Sequence, residues 1–126
     1  MILGLGTDIA EIARVAEVYD STGEGFIDRI LTASEKAEIP KNPDLIPAYL
    51  AKRFAVKEAA AKALGTGVSS GVSFLDFTTE HDSLGAPSLV VSGKALEIAE
   101  QKQIKRWHVS ISDEKSYAVA TVIAES

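Results

Sequence analysis

Two acidic residues stand among unusually small neighbours, and the chemistry of the chain is sought there first. Asp8 follows Gly6-Thr7. Glu58 lies within Phe54-Ala55-Val56-Lys57-Glu58-Ala59-Ala60-Ala61-Lys62-Ala63-Leu64-Gly65. Hard cations such as Mg²⁺ are commonly held by one or two carboxylates, with waters and substrate phosphates completing the shell. Lysines bind phosphate as point charges, and Lys57 and Lys62 bracket Glu58. The backbone of Gly65-Thr66-Gly67 offers further phosphate contacts. The set points to Mg²⁺-dependent chemistry on a phosphate-bearing substrate. Each member also has a plainer reading. Asp8 alone reads as a residue that ends a strand. Glu58 and Lys62 alone read as an i,i+4 ion pair on an exposed helix, worth ~0.3–0.5 kcal/mol. No Walker motif, dinucleotide fingerprint or nucleophile elbow accompanies them.

The elements that must position these groups can be read from pattern. Ile2 to Ile9 reads as a strand with Leu3, Leu5, Thr7 and Ile9 on one face. Its other face carries Ile2, Gly4, Gly6 and Asp8, where the glycines permit close approach of a ligand or another backbone. Glu58 falls on a long helix: no Pro or Gly interrupts Ala48 to Leu64, Pro47 suits the first turn, and Gly65 suits the left-handed residue past the end. Ala55, Ala59 and Ala63 would let this helix pack closely on another element. Ile12 to Asp20 reads as a short helix with Ile12, Val15, Ala16 and Tyr19 buried and Arg14 outside that stripe. Ser21 to Gly25 reads as a turn. Thr32 and Glu35 form a capping box, which gives Glu35 a structural role. Val72 to Thr79, Ser88 to Val91, Arg106 to Ser112 and Tyr117 to Ile123 read as strands, and Lys94 to Gln103 as a helix. His108 shares a polar strand face with Ser110 and Ser112, a plausible phosphate or ribose contact or simply a satisfied structural histidine. The order of elements is α+β, a long helix on a mostly antiparallel sheet.

Composition narrows the class. A single domain over residues 1–126 is expected, too small for a deep cleft unless copies associate. Hydrophobic content of 46% and charged content of 25% are those of an ordinary globular protein. No apolar run reaches membrane length, and Asp8 and Glu11 interrupt the start too early for a signal peptide. The absence of cysteine excludes disulfides and thiolate catalysis, and a cytoplasmic location is the default expectation. A net charge of −5 argues against nucleic-acid binding.

Taken together, two segments carry a family resemblance. Gly6-Thr7-Asp8-Ile9-Ala10-Glu11-Ile12-Ala13-Arg14 fits a G-x-D-x-x-x-I-x-R pattern, and Phe54 to Gly65 fits F-x-x-K-E-A-x-x-K-A-x-G. The chain resembles the holo-[acyl-carrier-protein] synthases, the small bacterial type of 4′-phosphopantetheinyl transferase, over nearly its whole length. The resemblance implies transfer of the 4′-phosphopantetheine arm of coenzyme A to a serine of apo acyl carrier protein, with release of adenosine 3′,5′-bisphosphate, in support of fatty-acid biosynthesis. It implies Mg²⁺ held by Asp8 and Glu58, with Lys62 binding phosphate and assisting the leaving group. It also implies a homotrimer with active sites between subunits. Arg53, Lys57, His108 and the Gly65-Thr66-Gly67 loop are the further candidates for binding coenzyme A. Where many members carry a histidine after the His108-Val109-Ser110 strand, this chain has Asp113-Glu114.

Carrier proteins are acidic, so an enzyme of net charge −5 needs a local basic patch to meet one. Arg14 is the first candidate, with Arg29, Lys52 and Arg53 beside it and Phe26 and Phe54 as apolar contacts. Two competing functions use the same residues. One is a Mg²⁺-dependent hydrolase of nucleotide diphosphates. The other is a trimeric binding module in which Glu58 and Lys62 are only a helix ion pair.

Overall fold

Residues 1–126 are described by a computed structural model. In chain order the elements are β1 (Ile2–Glu11), α1 (Ile12–Thr22), α2 (Glu24–Ile30), α3 (Ala33–Ala37), α4 (Ile46–Leu64), β2 (Phe77–His81), β3 (Pro87–Val91), α5 (Gly93–Gln101), β4 (Arg106–Asp113) and β5 (Tyr117–Glu125). Pro47 stands in the first turn of α4, and Gly65 closes it at φ +94°. No helix is long and apolar enough to cross a membrane.

The α+β expectation holds, and every strand pair is antiparallel. One sheet has the order β1-β5-β4, and β2-β3 is a separate hairpin. The inner face of the first sheet is covered by α4. Its central strand buries Ala118, Ala120, Val122 and Ala124, all small or medium residues. Helix α4 buries Ala51, Ala55, Ala59, Ala60, Ala61 and Ala63, and sets Ala59 and Ala63 against β1. Small side chains on both surfaces bring helix and sheet backbones close together.

Gly4 and Gly6 take this to its limit. A Cβ on Gly4 would fall 1.8 Å from the Ala63 carbonyl oxygen, and one on Gly6 would fall 1.9 Å from that of Ala59. The space the glycines leave in β1 is filled by another backbone, that of α4.

Most elements stand within about two residues of the sequence reading, and two segments differ in kind. The segment expected to be a strand from Val72 is first a 3₁₀ turn, Phe74–Asp76, and the strand begins only at Phe77. Ser73 and Asp76 form a capping box that holds the turn against the local preference for strand. The expected turn over Ser21–Gly25 is narrower. α1 runs to Thr22, Gly23 turns the chain at φ +53°, and Gly25 lies inside α2.

Candidate active site

Asp8 lies on the inner face of β1, two residues beyond the glycine that touches α4. Lys62, on α4, brings its ammonium group 3.2 Å from Asp8 Oδ1 and donates to the Thr7 carbonyl at 2.9 Å. Glu58 stands one turn earlier on the same helix face. Its carboxyl is pushed up from the usual range by burial and, next, by the charge of Asp8, with Lys62 opposing. Asp8, Glu58 and Lys62 thus form one cluster. The simple ion pair between Glu58 and Lys62 is not formed, because Lys62 reaches across to β1 instead. Two carboxylates placed so that the charge of Asp8 raises the proton affinity of Glu58 are a fitting donor set for a small hard cation. No third His, Cys, Asp or Glu joins them, so most positions around such an ion are left to water and phosphate oxygens.

Lys57 is not a phosphate contact. It is fully buried, and its ammonium group donates to Glu35 Oε1 at 2.8 Å, to the Phe74 carbonyl at 3.1 Å and to the Phe77 carbonyl. All three donors are used and no surface remains for a ligand. Burial pushes the ammonium down from its ordinary value, while Glu35 opposes the shift. Glu35 caps α3 as its capping box implied, and its second oxygen accepts from the Thr79 amide at 2.9 Å.

The glycine loop also differs from expectation. The amides of Gly65, Thr66 and Gly67 all point back to the Ala61 carbonyl, and the Thr66 hydroxyl donates to the Gly67 carbonyl at 2.7 Å. The loop closes the end of α4 and keeps no free N–H for phosphate. Lys102 adds a charge there, donating to the Leu64 carbonyl at 2.5 Å.

Arg53 is one turn before Lys57 and is nearly as buried, with its guanidinium over the Tyr49 ring at 4.8 Å. Its Nε has no partner. The residue lines a cavity of about 180 Å³ together with Lys52, His81, Pro87, Ile111 and Asp113. Lys52 and Arg53 therefore belong to this cavity and not to the surface around Arg14. His81 carries no local signal for this role, because the α4–hairpin contact that makes it a lining residue is long-range.

Arg14 is exposed, as its place outside the apolar stripe of α1 required. With Arg29 it borders a groove of about 140 Å³ floored by Val15, Val18, Phe26 and Phe54. The rings of Phe26 and Phe54 lie 6.4 Å apart.

His108 stands apart from the carboxylate cluster. It is on the outer face of the sheet, opposite the face that carries Asp8, and its Nε2 lies 2.9 Å from Glu125 Oε1. That contact and Arg106 hold the Glu125 carboxyl down at about 2.

Comparison with known proteins identifies relatives over the whole chain. A model of the 4′-phosphopantetheinyl transferase superfamily matches residues 4–122. A holo-[acyl-carrier-protein] synthase of Vibrio cholerae serotype O1 (strain M66-2) is 56% identical over 125 residues, which cover 99% of this chain and 98% of that protein. The crystal structure of the Neisseria meningitidis synthase superposes with a TM-score of 0.90 at 43% identity, covering 100% of both chains. The Helicobacter pylori synthase in complex with coenzyme A gives a TM-score of 0.84 at 30% identity, covering 96% of this chain and 99% of that one. On sequence and fold, the chain belongs to the 4′-phosphopantetheinyl transferase superfamily, among its holo-[acyl-carrier-protein] synthases.

Proposed function

We propose that this protein transfers the 4′-phosphopantetheine group of coenzyme A to a serine of apo acyl carrier protein in a Mg²⁺-dependent reaction serving fatty-acid synthesis in the cytoplasm. The observation that carries the proposal is the cluster of Asp8, Glu58 and Lys62, in which Lys62 pairs with Asp8 and leaves Glu58 without a cation. The coenzyme A bound by the Helicobacter pylori relative supports the donor.

Asp8 and Glu58 are the residues that would hold Mg²⁺. When bound, the ion neutralises and orients a diphosphate. The serine oxygen forms a bond to the phosphorus on the pantetheine side of that diphosphate. The bond from this phosphorus to the bridging oxygen breaks, and adenosine 3′,5′-bisphosphate leaves with the electron pair. Lys62 lies beside the cluster with an ammonium group able to meet the charge growing on that departing phosphate. The serine proton goes to water, because both carboxylates are committed as ligands.

Arg53 and Lys52 give the nucleotide end a cation-lined cavity. Arg14 and Arg29, on either side of an apolar groove, suit an acidic carrier protein with an apolar contact surface. We also propose the homotrimer. His108 and Asp8 lie on opposite faces of one sheet, so a single chain cannot bring both to one donor molecule. The outer face carries an apolar strip along its edge strand β1, with Leu5 and Ile9 65% and 64% exposed, which suits burial against another copy.

The test is intact mass spectrometry of an apo acyl carrier protein incubated with this protein, coenzyme A and Mg²⁺. A gain of one phosphopantetheine group is expected, absent with EDTA and absent with Asp8→Ala or Glu58→Ala. Cleavage of coenzyme A without any mass gain on the carrier would identify a hydrolase and reject the transfer.

A further inference from the structure

The ion pair Lys57–Glu35 joins α4 to α3 and is fully buried, whereas Arg53 on the same helix lines the cavity. Lys57 and Arg53 are one turn apart on α4, so they share a face. Phe77, Thr79 and His81 alternate onto one side of β2. At one end of this contact Lys57 donates to the Phe77 and Phe74 carbonyls, while Glu35 accepts from the Thr79 amide. Four residues away on each element, Arg53 and His81 both line the cavity. The hydrogen bond from Lys57 to the Phe77 carbonyl is the only one that joins α4 to β2. The hairpin supplies His81, Gly85 and Pro87 to the cavity wall, so the placement of β2 sets how far that wall stands from Arg53.

An apolar pair of similar volume would pack these elements together as well, often without loss of stability. What an ion pair adds is direction. Lys57 has three acceptors in fixed positions, one each on α3, the 3₁₀ turn and β2, and Glu35 also accepts from the Thr79 amide of β2. We infer that Lys57 and Glu35 are positioning residues that fix the β2–β3 hairpin against α4 and so set the width of the cavity that receives the nucleotide end of the phosphate-bearing donor. The inference rests on coenzyme A being that donor.

Steady-state kinetics of the double variant Lys57→Met/Glu35→Gln test it, since that variant leaves no unpaired buried charge. The KM for coenzyme A is expected to rise at least tenfold. At saturating coenzyme A, kcat should stay within threefold of wild type, and the KM for the carrier protein within twofold. Calorimetric affinity for adenosine 3′,5′-bisphosphate should fall by the same factor as the donor KM rises. A merely structural pair would lower the melting temperature without this split. A folded variant whose donor KM and bisphosphate affinity lie within twofold of wild type overturns the inference. If the double variant does not fold, hydrogen exchange in wild type decides. Saturating adenosine 3′,5′-bisphosphate should slow exchange of the Thr79 amide at least tenfold, and unchanged exchange overturns the positioning role. A wild-type protein that binds no bisphosphate at all overturns the donor reading, and this inference with it.

Discussion

Glu58 shows how a single residue can be costly to the fold and still be kept. Its carboxyl is pushed up by burial and by Asp8, so the folded state binds a proton there more tightly than the unfolded chain does. Stability is then greatest below the ordinary carboxylate pKa and falls as pH rises through the window between that value and the raised one. In EDTA at pH 7, Glu58→Gln should therefore melt higher than wild type, by about 1–4 °C, and the difference should vanish near pH 4. Adding Mg²⁺ should raise the wild-type midpoint and leave the variant's nearly unchanged, because only a ligand that binds the folded state shifts the equilibrium. Scanning calorimetry at the two pH values checks this; a variant less stable than wild type at pH 7 would contradict it. At this scale the sequence was informative where chemistry needs particular residue types. Asp8, Glu58 and Lys62 are brought together as the family resemblance implied. Lys57 was misread because its burial depends on Glu35, 22 positions away, and no local pattern carries that contact. The amides of Gly65, Thr66 and Gly67 were misread for a different reason. A left-handed glycine after a helix announces that the loop will return its N–H groups to the helix end, and those donors cannot serve a ligand as well.

Elements were legible where their signals are local. The long helix, its proline start and its glycine stop follow from intrinsic preference. The capping box at Thr32 and Glu35 fixed the start of α3. The strand start at Phe77 was not legible, because Ser73 and Asp76 compete with a run of β-favouring residues. What fixes α4 against β1 is the absence of side chains. Gly6→Ala places a methyl group against the Ala59 carbonyl, where neither partner is a flexible side chain that can move aside. Destabilisation of about 3 kcal/mol or more is expected, at the upper end for overpacking, with a fall in melting temperature of roughly 10 °C. Gly25→Ala makes the contrast. It has open space around it within α2, and alanine there should stabilise by ~0.5–1 kcal/mol. Chemical denaturation of both variants checks the pair; equal effects would mean the close approach of β1 and α4 does not control stability.

The whole molecule leaves one face of its sheet without a cover. Leu3, Leu5 and Ile9 point outward from β1, and alternation in the sequence had separated them from the glycine face without showing which face α4 would take. If the outer face is shared between copies, Leu5→Glu should convert the assembly to monomers in sedimentation velocity and remove transferase activity, while circular dichroism stays that of wild type. A monomeric wild type, or a Leu5→Glu variant that stays associated, would contradict the trimer. The net charge of −5 sets no obstacle to association, because Leu3, Leu5 and Ile9 give this face an apolar strip along β1. The order β1-β5-β4 has another consequence. Asp8, Glu58 and Lys62 are all encoded in the first half of the chain, yet β1 finds its only strand partner in β5, with Thr7 bonded to Thr121 at a separation of 114 positions. Pairings of such long range close slowly. On the ribosome, where synthesis proceeds at about 5–20 residues per second, α4 can form seconds before the strand that locks Asp8 in place has been made. The carboxylate cluster is among the first parts of this protein to be translated and among the last to be assembled.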